Sequence, residues 1–189
     1  DICKVLQDAG YGSEGNALTA ANYQDVLKQA EASFFAEVKE LSKSSKALDI
    51  FCYPADYHNL KVLLKSEALG VDRDELLMES GTVSTGDMSK SVRERDTMLL
   101  TENMIRALDE AVAVHARSND PQMIDFVCDK YCFADIGEAA AKSKNDFVEG
   151  YVALWIDTIN LKTFARVKKM GQPWKYFENV FISGGSVDM

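Results

Sequence analysis

The chain has 189 residues, of which 47% are hydrophobic and 27% are charged, and its formal net charge is -9. This length allows one large domain or two small ones, each with a buried core. The acidic balance argues against a nucleic-acid partner, because nucleic-acid binding needs a basic surface. No apolar run approaches the roughly 20 residues of a membrane-spanning helix, so no span is predicted.

In the first half, an apolar stripe predicts an amphipathic helix from Thr19, its N-cap, to about Lys43. The stripe consists of Tyr23, Val26, Leu27, Ala30, Phe34, Val38 and Leu41. A second helix is predicted from Leu48 to Gly70, and Pro54 should kink or restart it, because proline removes a backbone donor. A short helical piece from Asp72 to Glu79 should follow, with a turn at Gly81.

In the second half, a helix is predicted from Thr101 to Arg117. Asp120 should cap the next helix, with Pro121 at its first position, and that helix should end at Gly137. A long helix is predicted from Ser143 to Met170. It is apolar on several faces, which is typical of a buried helix. No segment alternates as a strand would, so the predicted fold class is all-α.

Four cysteines lack the spacing of a disulfide framework, which favours a reducing, cytoplasmic location: Cys3, Cys52, Cys128 and Cys132. Cys128 and Cys132 lie four residues apart and could share a metal with His58 or His115. A single such pair is more typical of small buried thiols than of a metal site. Both histidines are more typical of side chains satisfied by ordinary hydrogen bonds, so we expect no metal and no cofactor.

A short pattern occurs twice. Asp56-Tyr57-His58-Asn59-Leu60-Lys61 is followed 101 residues later by Asp157-Thr158-Ile159-Asn160-Leu161-Lys162. Nine residues beyond each motif aspartate lies a basic residue, Lys65 in the first copy and Arg166 in the second. Repetition at a fixed period is evidence about the whole fold.

The flanking segments agree in order and approximate spacing. Upstream, Phe35-Ala36-Glu37-Val38 matches Phe133-Ala134-Asp135-Ile136. Downstream, Ser80-Gly81-Thr82-Val83 matches Ser183-Gly184-Gly185-Ser186-Val187. We interpret the two copies as a duplicated structural unit, and a duplicated unit is more typical of a scaffold than of an enzyme.

The paired Asp and Asn side chains, Asp56 with Asn59 and Asp157 with Asn160, share a helix face. Both residue types are unfavourable inside helices, so their presence in the most apolar helices needs a reason. We expect them to bind backbone groups of a neighbouring segment, such as N–H donors at a helix start. The glycines that follow, Gly81 and Gly184-Gly185, would let the backbone turn where a side chain cannot fit.

These motifs resemble the C subunit family of prokaryotic V/A-type ATPases, whose eukaryotic relative is the d subunit. The resemblance lies in Asp56-x-x-Asn59-Leu60-Lys61, in Tyr151 to Arg166, in Gly184-Gly185 and in the opening Leu6-x-x-Ala9-Gly10-Tyr11. It implies a non-catalytic, central-stalk subunit of a rotary motor that transports protons or sodium ions.

In that family three similar helical units form a funnel around a pseudo-threefold axis. The funnel caps the membrane rotor ring of proteolipid subunits and receives the central shaft, which places the protein peripheral to the membrane. Here we expect a first unit at 1–90 that lacks its beginning and a second unit at 91–189 that is cut short. The chain would then be a fragment, an expectation that its opening Asp and its turn-like last residues also favour.

Basic residues crowd together late in the chain: Lys162, Arg166, Lys168, Lys169 and Lys175. We interpret them as a solvated helix end, with a docking patch for an acidic partner as the alternative. Two other functions stay open from the residues alone. One is a soluble helical-repeat adaptor unrelated to a motor, and the other is a helical enzyme that uses the Asp/Asn pairs with a divalent ion.

Overall fold

The structure is a computed structural model, which describes residues 2–12, 18–41 and 45–189. The chain forms two compact units, Asp1–Ser45 and Lys46–Met189. The first unit contains helices α1 (Ile2–Asp8) and α2 (Tyr23–Leu41). The boundary between compact units need not coincide with the boundary between repeated sequence units. The division at residue 45 therefore does not test the repeat units at 1–90 and 91–189, which stay a prediction.

The second unit is built from six α-helices and one 3-10 turn. After α3 (Ser45–Leu69) and the 3-10 turn at Asp74–Leu76 come α4 (Thr85–Arg93), α5 (Glu102–Ser118), α6 (Gln122–Ser143), α7 (Asp146–Lys169) and α8 (Trp174–Val180). Throughout residues 2–12, 18–41 and 45–189 the regular structure is helical, without a strand. The all-α prediction is confirmed.

Several helix ends lie where capping residues predicted them. The Thr101 hydroxyl accepts the Met104 N–H at 3.0 Å, which confirms the start of α5. Asp120 accepts the Gln122 N–H at 2.9 Å, but Pro121 is the N-cap and α6 begins at Gln122, one residue later than predicted. Gly70 has a φ of +63° just past α3, and the following Val71 N–H bonds back to the Ser66 carbonyl at 3.0 Å.

Other boundaries were predicted wrongly because polar side chains bind nearby backbone. The Asn22 side chain accepts the Thr19 N–H at 2.8 Å, which holds a turn there, so α2 begins at Tyr23. The Asp72 side chain likewise accepts the Asp74 N–H, and only a 3-10 turn forms in that region. The predicted end at Lys43 lies outside the described residues.

The predicted helix boundaries were also wrong near a glycine and a proline that lie inside long helices. α6 continues through Gly137 to Ser143, and Asn145 then caps α7, which begins three residues later than predicted. α3 begins at Ser45 and passes through Pro54 as one helix, so the proline does not restart it. Tertiary packing outweighs the local penalty of these residues, since α3 supplies several core side chains beyond its proline.

α6 lies at the centre of the second unit. It packs against α5, α7 and α8, and its Asp135 accepts a hydrogen bond from the Tyr57 hydroxyl of α3 at 2.8 Å. The same carboxylate accepts from the Thr101 hydroxyl at 2.6 Å and from the Asn103 amide at 2.8 Å. Three donors thus satisfy one buried carboxylate and tie α3, α5 and α6 together.

The long helix α7 is buried on one face only, so the prediction of an all-round buried helix was wrong. The buried face carries Val152, Ile156, Asp157, Asn160 and Val167. The opposite side exposes Phe147, Leu154 and Leu161. Apolar composition makes burial favourable, but it needs a partner, and within the described residues partners cover one side of α7.

The two copies of the motif leucine offer a matched test of packing. Leu60 is 0% exposed and Leu161 is 60% exposed. Leu60→Ala should lower the free energy of unfolding by about 2 to 5 kcal/mol, because it leaves a cavity in the core. Leu161→Ala should change it by less than about 0.5 kcal/mol. Denaturant titration of both variants checks this, and equal losses would contradict it.

Candidate functional site

The first copy of the Asp/Asn motif, on α3, holds the loop that precedes α4. Asp56 is fully buried, and its carboxylate accepts the Thr82 N–H at 2.9 Å, the Thr82 hydroxyl at 2.6 Å and the Val83 N–H at 3.0 Å. One turn later, the Asn59 amide donates to the Met78 carbonyl at 2.8 Å and accepts the Met78 N–H at 2.8 Å. Asn59 thus holds the loop at Met78, just after the 3-10 turn, and Asp56 holds it shortly before α4.

The second copy, on α7, makes the equivalent bonds to the last segment. The Asp157 carboxylate accepts the Ser186 N–H at 3.0 Å and the Val187 N–H at 3.1 Å. The Asn160 amide donates to the Ile182 carbonyl at 2.7 Å and accepts the Ile182 N–H at 3.0 Å. We call each set of bonds a carboxylate–amide brace: Asp56 with Asn59 in the first copy, Asp157 with Asn160 in the second.

The braces bind similar loops of different length. In the first copy, Asn59 and its backbone partner are 19 residues apart, and in the second copy Asn160 and its partner are 22 apart. The first loop contains the 3-10 turn Asp74–Leu76, and the second contains α8. The side-chain geometry is therefore kept although the intervening structure differs.

Glycine is required where each loop passes its aspartate. A Cβ at Gly81 would overlap the Asp56 carboxylate and lie 3.0 Å from its Cγ. A Cβ at Gly185 would do the same to Asp157, also at 3.0 Å from Cγ. Gly184 has a φ of +105°, a conformation that glycine adopts without strain. The two motif glycines that match are thus Gly81 and Gly185.

The chemistry of the braces is that of a carboxylate held by N–H and O–H donors. Burial raises the pKa of Asp56, while its hydrogen bonds to Thr82 and Val83 oppose that rise. Hydrogen bonds from the Val187 N–H, which has the larger effect, and from Ser186 lower the pKa of the less enclosed Asp157. Carboxylate oxygens aimed at donors are poorly placed to ligate a cation or to accept a substrate proton.

The predicted thiol and histidine candidates do not come together. Cys128 and Cys132 are buried, and burial raises the pKa of the Cys128 thiol to about 12. His58 Nε2 lies 3.0 Å from the Leu76 carbonyl. The buried His115 Nδ1 has no hydrogen-bond partner among the described residues, so the prediction of a satisfied side chain was wrong for His115. Among the residues that the structure describes, no three His, Cys, Asp or Glu side chains form a group that could hold a metal ion.

The predicted basic patch lies at the end of α7 and on α8. All five side chains are exposed: Lys162, Arg166, Lys168, Lys169 and Lys175. Lys175 pairs with Glu178 at 3.3 Å. Arg166, Lys168 and Lys169 lie in the last turn of α7, where a cation interacts favourably with the helix dipole.

Two sets of residues were missed by sequence reasoning. Lys61 and Lys65 of α3 form ion pairs with Asp129 and Asp125 of α6. The signal was present, since two acids four residues apart lie on one helix face. Asp135 was noted only as part of a repeated segment, although an acidic residue within an apolar helix is itself a sign of a buried polar cluster.

The fold and the braces define a class of protein: an all-α protein in which loops are held by polar side chains of two long helices. None of the helices in residues 2–12, 18–41 and 45–189 combines the length and the apolar character needed to cross a bilayer. The sequence profile of the ATP synthase (C/AC39) subunit family matches residues 1–189, and the chain belongs to that family. The predicted resemblance to the C subunit family of V/A-type ATPases is confirmed.

Curated relatives agree with this assignment. The chain is 23% identical over 194 residues to the C subunit of the V-type ATP synthase of Thermus thermophilus, with 98% of the chain and 58% of the relative covered. It is 25% identical over 170 residues to the C subunit of the V-type sodium ATPase of Enterococcus hirae, with 88% and 51% covered. The chain thus spans between half and three-fifths of these relatives. No solved structure gives a significant match.

The amides of the two braces should be needed for stability. Asn59→Ala and Asn160→Ala each leave a backbone N–H and a carbonyl without a partner, so each should lower the free energy of unfolding by about 1 to 3 kcal/mol. Asn179→Ala, at an exposed asparagine of α8, is the control and should have little effect. Thermal and denaturant unfolding measure the differences, and unchanged curves for both brace variants would rule out a bracing role.

The glycines of the braces should be intolerant of even a methyl group. Gly81→Ala and Gly185→Ala place Cβ onto a carboxylate, so both variants should unfold at lower temperature and denaturant concentration than the wild type. Gly150→Ala is the matched control, because a Cβ there meets nothing within 4 Å and the residue lies inside α7. It should be neutral or stabilising by up to about 1 kcal/mol. A Gly185→Ala variant as stable as Gly150→Ala would contradict the steric argument.

Proposed function

We propose that this chain is part of a non-catalytic central-stalk subunit, which couples the shaft of an ATP-driven or ATP-forming head to a membrane rotor ring. The observation that carries the proposal is the pair of carboxylate–amide braces in a member of this family. Both join a loop to a central helix through donors of the protein itself. Such an arrangement suits a part that transmits force and has no need to bind a substrate.

Stiffness is the physical property that such a part requires. A loop without tertiary hydrogen bonds opens locally at low free-energy cost, and a force applied to it would be lost in that opening. Each brace fixes its loop at two points to a helix that borders the core. A load applied to either loop would therefore reach the helix core directly.

The names of the relatives support the setting. One is the C subunit of a V-type ATP synthase and another that of a V-type sodium ATPase, so we infer that this chain assembles with other subunits of a V-type complex. We propose the shaft subunits and the proteolipid ring as its partners, with the complex placing it peripheral to the membrane. The repeat units at 1–90 and 91–189 would be two of three units of a funnel, and the basic patch is a candidate contact.

Family membership argues against an adaptor unrelated to a motor. The divalent-ion enzyme also lacks support, because donors of the protein occupy the Asp56 and Asp157 oxygens. No specific observation favours a second function.

Coupling in the intact complex tests the proposal. The V-type complex that contains this subunit would be reconstituted in lipid vesicles with and without it, and ATP hydrolysis and ion uptake measured together. Without the subunit, the head should still hydrolyse ATP while ion uptake is lost, and adding the subunit back should restore uptake. Equal uptake in both preparations, or ATP hydrolysis by the isolated subunit, would overturn the proposal.

A further inference from the structure

Within residues 2–12, 18–41 and 45–189, nothing covers an apolar outward face of α7. Phe147, Leu154 and Leu161 recur every seven residues along it and are 80%, 66% and 60% exposed. Lys162 and Arg166, also exposed, lie on the same helix beside and just beyond the last residue of this row. We call these five residues the outward face of α7. Large apolar side chains in a continuous row on one helix mark an interaction surface more often than a solvated one.

The internal repeat shows what covers the equivalent face of α3. At the offset of 101 residues, Leu161 corresponds to Leu60, and Leu154 corresponds to Tyr53. Leu60 is fully buried in the main core, and Tyr53 is packed against that core. The adjacent Tyr57 hydroxyl donates to Asp135, which places α6 over this face. The same positions are thus covered in one copy and open in the other.

The charges repeat in the same way. Lys61 pairs with Asp129, and Lys65 pairs with Asp125 at 2.7 Å, so two carboxylates four residues apart on α6 meet two cations on α3. The counterparts of these cations are Lys162 and Arg166. Both are exposed, and neither has an ion-pair partner within the described part of the chain.

We infer that the outward face of α7 docks an α-helix of the same chemistry as α6, with an apolar surface and two carboxylates four residues apart. Leu154 and Leu161 would pack on its apolar residues, while Lys162 and Arg166 would pair with its two acids. The charge pattern selects the partner and the apolar row provides the buried area. This inference does not depend on the proposed function, because it rests on the repeat alone.

The test uses the whole chain and a helical probe that carries the predicted chemistry. The probe is a lactam-stapled peptide of residues 122–143 with alanine at Cys128 and Cys132, shown to be helical by circular dichroism and labelled with a fluorophore. Fluorescence anisotropy should show saturable binding to the wild-type chain. The K162E/R166E variant should bind about tenfold more weakly, since two attractive pairs become repulsive.

Two further arms make the test specific. A charge-reversed peptide, D125K/D129K, should recover binding to the K162E/R166E variant and lose it to the wild type. The K168E/K169E variant carries the same change in net charge at positions whose first-copy counterparts, Glu67 and Ala68, do not pair with α6, so it should bind the original peptide nearly as well as the wild type. Absence of binding by the helical peptide, or equal losses in both double variants, would overturn the inference.

Discussion

The structure of the second unit depends on one constraint: a carboxylate buried on an apolar helix needs hydrogen-bond donors from elsewhere in the chain. A buried carboxylate is costly unless donors reach it, and the donors of its own helix are already used in helical hydrogen bonds. At Asp56 the donors come from a loop that returns to the helix and presents two N–H groups and a hydroxyl. The fold therefore couples the position of the loop to the presence of the acid, and each requires the other.

The same logic operates in α6, with a different set of donors. Asp135 takes its hydrogen bonds from side chains of α3, of α5 and of the residue that caps α5. A helix N-cap thus also serves as a tertiary contact, since the Thr101 hydroxyl accepts a bond within α5 and donates one to α6. Burial and the nearby Asp135 raise the pKa of Tyr57, which keeps its hydroxyl protonated as a donor.

The fold class and the importance of the repeated acid and amide could be predicted from the sequence, because both follow from composition and from an unfavourable residue type recurring in register. The glycines could be located for the same reason. Prediction failed at Asn22 and Asp72, where a short polar side chain captured backbone that the apolar pattern assigned to a helix. It failed on α7 because periodicity describes a helix alone, whereas burial depends on what lies beside it. The ion pairs of α3 with α6 needed knowledge of which helices meet.

The unequal loops have an evolutionary consequence. In each copy both anchors lie late in the loop, the amide at Met78 or Ile182 and the carboxylate four to five residues further on. The stretch between the end of the helix and the amide anchor is therefore free to diverge in length and content. One copy has a single 3-10 turn in this stretch, and the other has a helix whose Trp174 and Phe177 pack edge-on against Phe164. Natural variation and engineered grafts alike would be best tolerated in that stretch, where new surface can be added without disturbing the frame that carries it.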